Sequence, residues 1–253
     1  MKLKNIVKIA ALLIFVSSLI FAQEMKPEAA TLYNAGNKLL KSGQYNGAIA
    51  KYDSSLAIQE HPNTLYQKSI ALKKLRKFNE AEKALTRCIE LNPDFVAAYS
   101  GLGTTYYSLK KYQLAIDNFQ KYIEKTDNEK SKKKVKKFIG LAYTQLGQEA
   151  KRNGKHKKAI EYLMEAVKNY KYDSAYLALA EIYIELGEFE KALQAADNAI
   201  NYRKKISKGA GYYYKGLAFK GLGDKEKARE NFKISVKDRT YKANSKYELK
   251  QLK

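Results

Sequence analysis

The chain has 253 residues, 45% of them apolar, and its three prolines and 14 glycines exclude a turn-rich all-β fold while its Ala, Leu, Lys and Glu content points to helix. A formal charge of +22 rests on 48 basic side chains, only six of them arginine, which argues against a protein built to grip phosphates through guanidinium forks. One cysteine, Cys88, excludes an internal disulfide and a thiolate zinc site, and two histidines leave little for metal or acid–base chemistry.

The N-terminus carries Lys2, Lys4 and Lys8 without an acid, then an apolar run from Ile9 to Phe21 broken only by Ser17 and Ser18. This is the three-part plan of a secretory signal peptide over 1–22, with cleavage expected after Ala22. The run is shorter than the roughly 20 residues that a spanning helix needs, and no cysteine follows it for lipid attachment. The expectation is export to the periplasm, cell envelope or medium, the alternative being an uncleaved N-terminal helix that anchors the chain. Residues 23–28 read as a short linker.

From there one pattern recurs. Leu32-x2-Ala35-Gly36-x2-Leu39 leads to Ala48-x3-Tyr52; Leu65-x2-Lys68-Ser69-x2-Leu72 leads to Ala81-x3-Leu85 and Pro93. Tyr99-x2-Leu102-Gly103-x2-Tyr106 leads to Ala115-x3-Phe119, and Tyr143-x2-Leu146-Gly147-x2-Ala150 to Ala159-x3-Leu163. Tyr176-x2-Leu179-Ala180-x2-Tyr183 leads to Ala192-x3-Ala196, and Tyr212-x2-Lys215-Gly216-x2-Phe219 to Ala228-x3-Phe232. These residues resemble the tetratricopeptide repeat, with tyrosine standing in for tryptophan. The resemblance implies an all-α, right-handed superhelical solenoid of about six helix-turn-helix units, covering 29–242. The units are expected near 29–61, 62–95, 96–127, 140–172, 173–206 and 209–242, with a capping helix at 243–253. It also implies a concave groove, walled by the first helices, that takes a peptide or protein segment.

Each unit needs its neighbour to bury its apolar stripe. Gly36, Ser69, Gly103, Gly147, Ala180 and Gly216 form a small-residue column on the first helices, and Ala48, Ala81, Ala115, Ala159, Ala192 and Ala228 its partner on the second. Gly43, Gly154, Gly187 and Gly223 fall between the helices, where a left-handed residue is favoured. Gly101-Leu102-Gly103 therefore serves packing; a dinucleotide fingerprint would need a preceding strand and a glycine where Tyr106 stands. Lys68 and Lys215 occupy a usually apolar slot, so looser packing is expected there.

The third and fourth units are separated by a lysine-rich insertion, 128–139, that contains KSKKKVKK. It reads either as a solvated N-terminal extension of the next helix or as a docking patch of Lys132, Lys133, Lys134, Lys136 and Lys137 for an acidic surface. Residues 130–172 hold 13 basic and three acidic side chains, which favours a patch.

No HExxH, GxxxxGK[ST] or GxSxG occurs, and no cofactor or metal is expected; Cys88 falls at a small packing slot. The chain reads as a non-enzymatic scaffold whose groove residues are Tyr33, Asn37, Tyr66, Lys73, Lys74, Tyr107, Gln148, Arg152, Glu181 and Tyr213. Tyrosines interleaved with lysines and amides suit an extended segment with acidic and apolar side chains. The carboxylate clamp of chaperone-binding relatives is matched only at Asn37, with Tyr33, Gln67, Ala97 and Gly101 at its other places. The alternative function is structural, a basic face held against anionic lipid or wall polymer. Nucleic acid is the disfavoured partner.

Overall fold

The computed structural model describes residues 24–252; the expected signal peptide at 1–22 lies outside them. Among the described residues there are thirteen α-helices and no strand, and the chain divides at Asn128/Glu129 into two compact halves. The N-terminal half holds α1 (Pro27–Lys41), α2 (Tyr45–Ile58), α3 (Pro62–Lys74), α4 (Phe78–Leu91), α5 (Val96–Ser108) and α6 (Tyr112–Lys125). The C-terminal half holds α7 (Glu129–Arg152), α8 (His156–Asn169), α9 (Asp173–Glu185), α10 (Phe189–Asn201), α11 (Lys208–Gly221), α12 (Lys225–Ser235) and α13 (Lys242–Gln251). Within each half, successive helices pair and each pair stacks on the next.

The helix boundaries follow local chemistry. Pro27 and Pro62 open α1 and α3, where a missing N–H costs nothing. His61 Nδ1 accepts from the Asn63 N–H at 3.2 Å and so caps α3. Each first helix ends in the same left-handed turn: in the first repeat Gly43 N–H donates to Leu40 C=O and Gln44 N–H to Leu39 C=O. Gly43, Gly154, Gly187 and Gly223 take φ between 68° and 82°, while Arg76 and Lys110 adopt φ of 60° and 59° in the second and third repeats.

The small-residue columns meet as expected. All six aligned alanines are fully buried. A Cβ built on Gly103 would lie 2.5 Å from the Phe119 ring, and one on Gly216 2.7 Å from Phe232. Gly101 is more than a neighbour: a Cβ there would stand 2.9 Å from Leu85. Cys88 is buried, its Sγ 3.3 Å from the Pro62 carbonyl oxygen, and burial pushes the thiol up to about 12.

Two local readings change, at the linker and at two lysines, and two others gain detail. The expected linker 23–28 gives way to helix at Pro27. Of the two readings of the insertion 128–139, the helix extension is what the structure has: Val135, Ile139 and Ala142 continue a buried stripe, so α7 runs unbroken for 24 residues. Lys68 and Lys215 are not loose, because each pairs with an aspartate on the preceding second helix, Lys68 with Asp53 at 2.5 Å and Lys215 with Asp197 at 2.7 Å. In the cap, Leu252 is buried and Leu249 packs beside Phe232, but Tyr247 faces solvent. The cap is held by polar contacts too: Lys220 to Glu248 at 2.5 Å, and the Ser235 and Ser245 hydroxyls 2.6 Å apart.

Candidate functional site

In the C-terminal half the first helices α7, α9 and α11 lie side by side, which brings one face of each into a common row. A cleft of about 360 Å³ opens there, lined by Gln148, Lys151 and Arg152 from α7, Ser174, Leu177, Ala178 and Glu181 from α9, and Ile206 from the loop before α11. Leu177, Ala178 and Ile206 give it an apolar floor, with polar groups converging from both helices. That mixture fixes a bound chain's orientation through a few polar contacts and its affinity through apolar ones.

The charges are already partly spent. Lys151 Nζ lies 2.5 Å from Glu181 and 3.7 Å from Glu185, and His156 Nδ1 is 3.4 Å from Glu185. Burial, then the charge of Glu181 and its hydrogen bond, hold the Tyr214 hydroxyl far above the ordinary tyrosine range. A polar row thus crosses three helices, Lys151 to Glu181 to Tyr214. Arg152 is exposed at the rim and has no ion-pair partner among the described residues.

The wall is positioned by the loop behind it. Asp173 is fully buried, and its Oδ2 accepts from the backbone N–H groups of Lys204, Lys205 and Ile206 at 2.6, 2.5 and 3.0 Å. Burial alone would push this carboxyl up, but those donors and the Ser174 N–H hold it below the usual range. The grip fixes Ile206 at the edge of the cleft.

Of the ten groove residues expected from sequence, Gln148, Arg152 and Glu181 come together in this cleft. Tyr213 is half-buried in a ring cluster, 5.0 Å from Tyr241 and 5.4 Å from Tyr214. In the N-terminal half, the Tyr52 hydroxyl donates to Asn37 Oδ1 at 2.8 Å, and the Tyr33 ring lies 6.2 Å from Tyr52, so both are engaged by a core residue. Tyr66 packs on Phe95 at 5.1 Å and Tyr107 meets Tyr112 edge-on at 5.5 Å. Lys73 is half-buried, its ammonium on the Thr104 hydroxyl and 3.5 Å from the Gly101 carbonyl oxygen, and burial lowers its pKa. Lys74 is exposed at the end of α3.

Sequence reasoning missed Ser174, Ala178, Ile206, Asp173 and Tyr214. The one available signal was Asp173, a carboxylate directly ahead of an apolar helix and facing a lysine-rich loop. Among the described residues no cluster of His, Cys, Asp and Glu could hold a metal, and no helix is long and apolar enough to cross a membrane.

A family model described as Tetratricopeptide repeat matches residues 66–129 and 144–206, half of the chain. The Hsp70-Hsp90 organizing protein of Triticum aestivum is 26% identical over 232 residues, 80% of this chain and 40% of that protein. The Small glutamine-rich tetratricopeptide repeat-containing protein 2 of Saccharomyces cerevisiae is 28% identical over 133 residues, 48% of this chain and 38% of that protein. The chain thus spans about two fifths of the length of these curated relatives. Among solved structures, MamA residues 41 to the end from Desulfovibrio magneticus RS-1 cover 73% of this chain and 100% of that chain at TM-score 0.51 and 19% identity, a likeness of fold alone.

Proposed function

Because the chain belongs to the tetratricopeptide-repeat family, we propose that it is a non-enzymatic scaffold that binds an extended segment of another protein along α7 and α9. The observation that carries this reading is the cleft itself: an apolar floor of Leu177, Ala178 and Ile206, with Gln148 and Arg152 at its rim. Lys151 is committed to Glu181 and Glu185, so Arg152 is the cation left to meet a carboxylate of the guest. The guest chemistry is an apolar side chain flanked by an acidic one, with Gln148 able to bond its backbone. No step of bond chemistry is involved; a preformed face lowers the ordering cost of association.

The chaperone partners in the wheat relative's name are not carried over. Their clamp is matched here only at Asn37, and that amide oxygen already accepts from Tyr52. We place the protein in the periplasm or envelope on the strength of residues 1–22; N-terminal sequencing of the mature chain should then begin at Gln23.

A peptide-display library screened against the full chain tests the binding reading. Selected peptides should carry an acidic residue near an apolar one, and Arg152→Ala or Leu177→Asp should weaken them at least about tenfold while melting is unchanged. Selected peptides that ignore both substitutions would place the guest elsewhere.

A further inference from the structure

Antiparallel pairing puts the loops between repeats along one edge of the C-terminal half and the turns within repeats along the other. The loop edge is contiguous. Lys204 Nζ lies 3.2 Å from the Tyr170 hydroxyl, and the ammoniums of Lys204 and Lys137 sit 5.4 and 5.5 Å from the centre of that same ring. Lys171 Nζ is 2.8 Å from the Tyr202 hydroxyl and 4.9 Å from the ring centre, and Tyr202 stacks on Tyr176 at 5.7 Å.

Two aspartates of this edge are engaged by backbone. Asp173 spends its Oδ2 on three loop amides, and Asp238 accepts from the Gly209 N–H at 2.7 Å, so both aspartates are turned to backbone. Among the described residues Lys137, Lys171 and Lys204 have no ion-pair partner, although on the same edge Lys132 pairs with Glu129 and Lys168 with Glu165.

The Tyr170 and Tyr202 rings are half-buried beneath the ammoniums, Tyr202 stacked on Tyr176 and Tyr170 tilted against Tyr172, so they offer no open face to a nucleobase. Lysine point charges on flexible stems, held over a row of loops, suit a fluid surface that presents many anions without fixed geometry. We propose that the inter-repeat edge of the C-terminal half docks on an anionic lipid bilayer, with Lys137, Lys171 and Lys204 over Tyr170 and Tyr202 as its centre. This surface adjoins the cleft at one loop, where Lys204 stands two residues before Ile206.

Vesicle flotation with the full chain tests the proposal, comparing phosphatidylcholine vesicles with the same vesicles containing phosphatidylglycerol. The readout is the preference for the anionic vesicles, which leaves the constant contribution of the N-terminal segment out. Each lysine near such a surface is worth roughly fivefold, so Lys137→Gln/Lys171→Gln/Lys204→Gln should reduce that preference about 100-fold at low salt. Lys155→Gln/Lys157→Gln/Lys158→Gln, the same charge change on the turn edge, should leave it within about twofold. If the first triple variant melts early, the exposed Lys133→Gln/Lys134→Gln/Lys136→Gln variant should still lose the preference. Equal losses in edge and control variants, no preference in the parent chain, or lysine-dependent binding to polyglutamate or duplex DNA in place of vesicles would each overturn it.

Discussion

At Gly103 the missing side chain sets how closely α5 and α6 approach. The Phe119 ring occupies the volume a methyl group would need, at 2.5 Å from where a Cβ would stand. Gly103→Ala should therefore overpack the third repeat and cost about 1–3 kcal/mol in urea unfolding; unchanged stability would mean that Phe119 is not against α5. This contact was legible, because six aligned alanines and a column of small residues recur at fixed spacing. The role of Asn37 was not. Its place on the first helix suggests a groove, but the column residue opposite it is Tyr52, which brings a buried hydroxyl where the third and sixth repeats have phenylalanine. Asn37→Ala should cost about 1–3 kcal/mol by stranding that hydroxyl, and Tyr52→Phe in the same chain should recover most of the loss.

The connecting turns show what an element tolerates. Four repeats place glycine at the left-handed position, and the second and third place Arg76 and Lys110 there with the same hydrogen-bond pattern. A side chain in that conformation costs about 1–2 kcal/mol, part of which glycine returns through its greater freedom when unfolded. Arg76→Gly or Lys110→Gly should accordingly raise the unfolding free energy by about 0.5–1 kcal/mol, visible as a higher denaturant midpoint; a decrease would show that the arginine or lysine stem makes compensating contacts. The pairing of Lys68 with Asp53 and of Lys215 with Asp197 was hidden for a related reason. Both aspartates stand five residues after the column alanine of the preceding repeat, a place outside the recurring pattern of small and apolar residues, so matching that pattern did not bring them to notice. The long α7 was half visible: its lysines suggested a helix extension, and Val135 and Ile139 supply the stripe that makes it one.

For the molecule as a whole, repeat arrays are held by nearest-neighbour contacts, so stability is decided at the junctions. The number and order of helix pairs could be read from sequence, since the period is set within each pair. The cleft could not be delimited, because which side chains converge depends on pairings such as Lys151 with Glu181 and on a loop pinned by Asp173. That pin has a pH signature. An unfolded aspartate titrates near 3.9, and the folded Asp173 below that, so its stabilisation is complete above about pH 4 and lost as pH falls through the folded value. Asp173→Asn should cost about 2–4 kcal/mol at neutral pH and flatten the fall in melting temperature between about pH 5 and 3; an unaltered acid limb would assign the effect to other carboxylates. The amides of Lys204, Lys205 and Ile206 sit in a connecting segment yet point at an interior anion. In heavy water such protons should be traded only when this loop lifts off the start of α9, so three loop positions become a clock for that opening.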